Sequence, residues 1–200
     1  MVQVSGREVS PGVTFGLCTR PCAGEFENGD RGVLVRHDMF ALAMVVDGLG
    51  HGPKAAKAAQ IAVDLLENTS ERDPTVIMGA VNEALRGTVG AAASILSLDF
   101  QTGGISYCGV GNVATRVTGG VETRLVGIDG VLGSLRRNLR LEHACLLAGG
   151  MVLMTSDGVS LGFDPGTLAG LTAEDAARFL VDKHGRPHDD ATALLLRIAS

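Results

Sequence analysis

The chain has 200 residues, with 17 basic and 22 acidic side chains that give a net charge of −5, a pI near 5.5 and a mean hydropathy of +0.26. That acidic balance argues against a protein that works on nucleic acid or on an anionic membrane, and the longest clean apolar run, residues 40–46, falls far short of the roughly 18 residues of a spanning helix. One domain over residues 1–200, with a single sizeable core, is expected, and a cytoplasmic location, because residues 1–8 carry no basic segment leading into an apolar one.

The first third reads as strands: residues 12–19, 32–35 and 39–46 are rich in β-branched or apolar side chains and are separated by Gly, Asn and Asp. From Pro53 to Glu67 the period changes, with apolar residues at 55, 58, 59, 62, 65 and 66 and Lys54, Lys57, Gln60 and Asp64 on the other face. This spacing predicts an amphipathic helix with proline at its first position. A second helix is expected to open with Asp73 as cap and Pro74 as first residue, and to bury Ile77, Val81, Ala84 and Leu85. Strands return over residues 91–154, with Gly103-Gly104, Gly119-Gly120 and Gly149-Gly150 where hairpins are expected to turn. Thr172 to Asp175 makes an approximate capping box for a third helix that stops near Gly185, and residues 191–198 close the chain as an apolar strand. With 28 glycines and no tryptophan, the core has to be built from Ala, Val, Leu and Ile. Strands, a helix pair, more strands and a late helix predict an α+β fold, a layered sandwich with helices covering the outer faces of packed, mostly antiparallel sheets.

Acidic residues stand where these strands end. Asp47 closes the run 43–46 and precedes Gly48; Asp157 follows 151–156 and precedes Gly158; Asp189 and Asp190 come just before 191–196; Asp30 lies in the turn before an early strand. Any one Asp-Gly pair is an ordinary turn. If the strands are neighbours, however, three or four carboxylates meet in one cleft, where they repel one another and are driven to protonate unless cations hold them. Hard oxygen ligands without histidine or cysteine select magnesium or manganese over zinc. Cations so held leave a site that attracts phosphate.

The segments VVDGLGHG (45–52), GVGN (109–112), VLG (131–133), TSDGV (155–159) and HDDAT (188–192) occur in one order. In that order and rough spacing the chain resembles the PPM (protein phosphatase 2C-like) metal-dependent phosphatases, most of all their compact bacterial SpoIIE/RsbX-like branch, from about residue 24 to residue 198. The resemblance implies a four-layer α/β/β/α sandwich of two mostly antiparallel sheets flanked by helices, with two Mn²⁺ or Mg²⁺ ions at one edge. It implies that Asp47 bridges both ions, that the Gly48 carbonyl binds one, that Asp157 and Asp189 are further direct ligands, and that Asp30 acts through water. Asp190 falls where many relatives have asparagine and is placed behind the ligands, with the choice between Asp189 and Asp190 as direct ligand left open. Asp47, Asp157 and Asp189 are thereby the catalytic candidates, in a hydrolysis of phosphoserine or phosphothreonine by a metal-activated hydroxide. The implied substrate is a phosphorylated protein, by analogy a STAS-type protein of a stress-signalling or partner-switching pathway, with no nucleic-acid or membrane partner. Two alternatives stay open: a catalytically silent binding module on the same scaffold, and a phosphatase of a small phosphorylated metabolite.

Other residues carry weaker signals. His51 is either a general acid or a turn residue fixing the loop before Pro53; Ser156 and Thr192 flank ligand positions and are expected to support them by hydrogen bonds. Residues 109–114 fit a glycine-rich dinucleotide fingerprint, but 113–118 are β-branched where that motif needs a helix. Arg136, Arg137 and Arg140 are read as a solvated loop ahead of a phosphate contact, and Arg20 carries no phosphate-binding motif. Cys18, Cys22, Cys108 and Cys145 are expected to be free thiols, not a zinc site or a disulfide framework.

Overall fold

In the computed structural model, residues 2–10, 12–119 and 122–199 are described. Among the described residues, eleven strands form two sheets. The first holds β1 (Gln3–Ser10), β2 (Val13–Arg20), β7 (Ala114–Thr118), β8 (Thr123–Leu125), β10 (Met151–Thr155) and β11 (Ala191–Ile198), in the spatial order β1-β2-β11-β10-β7-β8. The second holds β3 (Asp30–Arg36), β4 (Phe40–Gly48), β5 (Ala91–Asp99), β6 (Gly104–Val110) and β9 (Glu142–Cys145), in the order β3-β4-β5-β6-β9. Every pairing between these strands is antiparallel.

The unbroken apolar runs in β4 and β11 arise because both faces of each strand are covered. Successive side chains point to opposite faces. In β4, Ala41, Ala43 and Val45 enter the core between the sheets, while Leu42, Met44 and Val46 meet helices α1 (Pro53–Glu67) and α2 (Pro74–Ala84). In β11, Leu194 and Leu196 enter the same inter-sheet core, while Ala191, Ala193 and Leu195 pack under α3 (Ala173–His184). The result is the expected four layers. Small side chains let α1 lie close to its sheet: Ala55, Ala58, Ala59 and Ala62 are buried, and a Cβ on Gly48 would stand 2.3 Å from the Ala55 carbonyl oxygen.

The helix signals were read at the right places. Pro53 and Pro74 open α1 and α2, and the Asp73 carboxylate accepts a 2.8 Å bond from the Thr75 amide. The Thr172 hydroxyl accepts from the Asp175 amide at 3.0 Å and donates to the Asp175 carboxylate at 2.8 Å.

Two expectations need correction, and one element was not expected. Ala84 is exposed, and Met78 takes the place expected for it, because the buried stripe of α2 runs through Ile77, Met78 and Val81 to Leu85. Gly149-Gly150 is not a hairpin: β9 belongs to the second sheet and β10 to the first, so this turn carries the chain across the sandwich. A positive φ of 72° at Gly149 marks a turn, but local backbone chemistry does not say which sheet receives the next strand. Strand β1 has no counterpart in the sequence reading, since it is an edge strand whose described side chains are mostly exposed. Gly103 and Gly119 do turn hairpins, at φ 68° and 104°; Gly120 lies outside the described residues. Among the described residues no helix is long and apolar enough to cross a membrane.

Candidate metal centre

Antiparallel register brings the acidic strand ends to one end of the molecule. In the second sheet Asp30, first residue of β3, pairs with Asp47 near the end of β4. In the first sheet the end of β2 pairs with the start of β11 at Arg20 and Ala191, and the end of β10 lies beside both β11 and β7 through Thr155. Asp157 and Asp190 leave those strand ends. Side chains then tie the two sheets together: the Ser156 hydroxyl donates to the Asp30 carboxylate at 2.5 Å and accepts from the Thr192 amide at 3.0 Å. Behind it, the hydroxyls of Thr19 and Thr192 are 2.8 Å apart and the Asn28 side-chain amide donates to Thr19. Ser156 and Thr192 thus support the acidic cleft, as their positions suggested.

Glycine at 48 and 158 has a reason other than a left-handed turn. Neither residue has positive φ. A Cβ on Gly158 would stand 1.7 Å from the Asp190 carbonyl oxygen, so only glycine lets the 157–158 turn lie against the backbone of Asp190. Asp190 itself is 3% exposed and accepts the amide hydrogens of Cys22 at 2.7 Å and Gly29 at 2.8 Å. Both of its oxygens hold the 21–29 loop. Asp189, next to it, is only half-buried. Asp157 accepts a 2.5 Å bond from the Asn112 side chain, a contact that the GVGN motif alone does not reveal. Gly111, at φ 87°, is what turns the chain so that Asn112 can reach across.

The electrostatics are those of crowded carboxylates. Burial, then the Asp30, Asp157 and Asp189 charges and a hydrogen bond shared with Asp157, push Asp47 up to about 9. Asp30, 1% exposed, is pushed up to about 7 by burial and by Asp190 and Asp157, against the lowering effect of its Ser156 bond. Asp189 is raised by burial first and by Asp157 second. Among the described residues no ion pair joins Lys, Arg or His to any of these five aspartates. Also among them, no three Asp, Glu, His or Cys side chains already close around one point as a metal cage. Oxygens of Asp30, Asp157 and Asp190 are instead taken up locally, by Ser156, Asn112, Cys22 and Gly29, and Asp47 shares a hydrogen bond with Asp157. Clustered oxygen donors that repel one another, with no ion-paired cation among the described residues, fit hard divalent cations.

The remaining candidates lie elsewhere. His51 Nδ1 sits 2.7 Å from Glu25, pinning the 48–52 turn to the 21–29 loop; this supports the loop-fixing role. Arg20 braces the Arg186 carbonyl at 2.9 Å. Arg136 and Arg137 are exposed, and Arg140 is paired with Glu142. Residues 109–110 end strand β6 and β7 follows, so the dinucleotide motif has no helix. All four cysteines are free, and burial pushes Cys18 and Cys108 up to about 11, which keeps them inert thiols.

Comparison with known proteins agrees with this architecture. The family model of stage II sporulation protein E, SpoIIE, matches residues 39–199. The phosphoserine phosphatase RsbX of Bacillus subtilis (strain 168) is 29% identical over 135 residues, covering 66% of this chain and 68% of RsbX. The crystal structure of RsbX in complex with magnesium superposes with a TM-score of 0.88 at 26% identity, over 100% of both chains. A chain solved in work on the bacterial stressosome as a modular system controlling secondary messenger signalling superposes with a TM-score of 0.87 at 30% identity, over 92% of this chain and 99% of that one. The motifs, the two packed antiparallel sheets and these matches agree: the chain belongs to the SpoIIE family of PP2C-like phosphatases.

Proposed function

We propose that this chain is a cytoplasmic phosphatase, residues 1–200 acting as one domain, that uses two Mn²⁺ or Mg²⁺ ions to hydrolyse phosphoserine or phosphothreonine on a protein. The observation that carries the reading is the set of mutually repelling aspartates, Asp30, Asp47, Asp157 and Asp189, with no ion-paired cation among the described residues. The similarity to RsbX, a phosphoserine phosphatase, and to a stressosome chain supports a STAS-type phosphoprotein of a stress-signalling pathway as substrate.

Asp47, Asp157, Asp189 and the Gly48 carbonyl are the groups proposed to hold the ions, with Asp30 acting through water. Because both Asp190 oxygens are bound to backbone amides, Asp190 positions the 21–29 loop and Asp189 is the direct ligand. Bound divalent ions lower the pKa of water and neutralise phosphoryl oxygens, the chemistry that phosphomonoester hydrolysis needs. The protein supplies the rest. Asp30, held by Ser156, orients water at the cleft floor, and the Asn112 bond fixes the Asp157 carboxylate. The Ser156 hydroxyl is engaged by Asp30 and Thr192, so it positions and does not attack.

Purified protein is expected to release phosphate from p-nitrophenyl phosphate only with Mn²⁺ or Mg²⁺, to stop on adding chelator, and to lose at least about a hundredfold in kcat on Asp47→Asn. Equal release by wild type and Asp47→Asn would sink the reading in favour of a silent binding module. Faster turnover of sugar phosphates or nucleotides than of phosphoproteins would move the substrate to metabolites.

A further inference from the structure

Of the six phenylalanines, five find cover. Phe15 is buried, and Phe40, Phe100, Phe163 and Phe179 pack against one of the three apolar clusters. Phe26 is 99% exposed. It does not sit on a loose loop. The Cys22 amide is bound to Asp190, Ala23 N donates to the Pro187 carbonyl at 3.0 Å, Glu25 is clamped to His51, and the Gly29 amide is bound to Asp190. The same bonds that brace the acidic cleft therefore hold this ring out in water beside it.

The adjoining segments continue the rim. The 48–52 turn touches the Phe26 loop through the Gly48 amide and the Gly29 carbonyl at 3.1 Å, and meets the 85–90 loop through the Leu49 amide and the Gly90 carbonyl at 3.0 Å. Leu49 and Val89 are themselves exposed. Next to them runs a groove of about 350 Å³ lined by Lys54, Lys57, Gly87, Thr88 and Val89. In a chain of net charge −5, two lysines in one groove form a local positive field. A rigid aromatic loses little entropy on contact and is the side-chain type that dominates interface energies.

We propose that Phe26 and the Lys54/Lys57 groove form a docking face for a folded phosphoprotein, on which an apolar patch beside the phosphorylated serine seats on Phe26 and an acidic segment enters the lysine groove. The proposal rests on the phosphatase reading and deepens it, by naming the surface that a protein substrate would use.

The test measures kcat and KM for wild type, Phe26→Ala, Phe26→Trp and the double reversal Lys54→Glu/Lys57→Glu, on p-nitrophenyl phosphate and on a STAS-domain protein phosphorylated on serine. Phe26→Ala and the lysine reversal are each expected to raise KM for the phosphoprotein about tenfold. Their turnover of p-nitrophenyl phosphate is expected to match wild type, and Phe26→Trp to keep the wild-type KM. An unchanged phosphoprotein KM in either variant overturns the proposal, as does a parallel loss on both substrates, which would mark a structural role. If wild type hydrolyses neither substrate with Mn²⁺, the phosphatase reading itself fails, and that result is distinct from a failure of docking alone.

Discussion

Asp30 and Asp47 face each other across β3 and β4, and each gives up its proton at a higher pH in the folded protein than in the unfolded chain. Their ordinary value is 3.8; in the fold Asp30 stands at about 7 and Asp47 at about 9. A raised folded value makes the native state bind more protons than the unfolded state between those limits. The contribution is full below about 3.8 and fades as pH rises through about 7 and then about 9. Metal-free protein should therefore lose melting temperature as pH is raised from about 5 to 9, and Asp47→Asn should flatten the upper part of that slope. Scanning calorimetry in chelator across this range checks both. A melting temperature that climbs with pH in wild type would mean that these carboxylates are ionised and compensated in the fold. Divalent ions compete with the same protons, so metal affinity is expected to rise with pH.

At the scale of elements, two substitutions separate the structural from the catalytic. Thr172 caps the start of α3, which lies against Gly16 and so away from the cleft end of β2 at Arg20, by a bond to the Asp175 amide. Thr172→Ala is expected to cost about 1 kcal/mol of stability and to leave phosphatase kcat unchanged, measured by denaturant unfolding alongside turnover. Gly158 belongs to the site although it carries no side chain. The Cβ of Gly158→Ala would collide with the Asp190 carbonyl, so the 157–158 turn and the start of β11 must part. A cost of about 1–3 kcal/mol is expected, together with a fall in metal-dependent turnover much larger than that caused by Thr172→Ala. Full activity in Gly158→Ala would show that Asp157 is placed by something other than this contact. The helices illustrate how local chemistry decides an element: Pro53, Pro74 and Thr172 mark their starts, and each start occurs where it was read. The glycine pairs are poorer guides, because a turn at Gly149 serves equally for a hairpin and for a crossing between sheets.

Taken whole, the molecule is two sheets whose shared core meets a charged seam at one end. Ions binding that seam act only on the folded state, since the carboxylates come from β3, β4 and the ends of β10 and β11. Mn²⁺ at a hundredfold excess over its Kd should raise the melting temperature by about 5–10 °C, by mass action on a chain of this size. Asp157→Asn should shrink that rise while the metal-free protein stays folded, because it relieves repulsion; thermal unfolding with and without Mn²⁺ is the measurement. An undiminished rise would remove Asp157 from the proposed ligands.

The chain by itself determined the helices, most strands, the layered architecture and the aspartates to watch, because capping residues, apolar periodicity and short motifs are written in neighbouring positions. Only the tertiary structure decided that Asp190 spends its oxygens on Cys22 and Gly29, that Asn112 holds Asp157, that Glu25 takes His51, and that Phe26 alone among the phenylalanines is left uncovered. Those facts join residues 26 to 168 positions apart. Which oxygen meets which amide depends on how the sheets pack and which strands lie side by side, and no local pattern of charge or hydropathy encodes that.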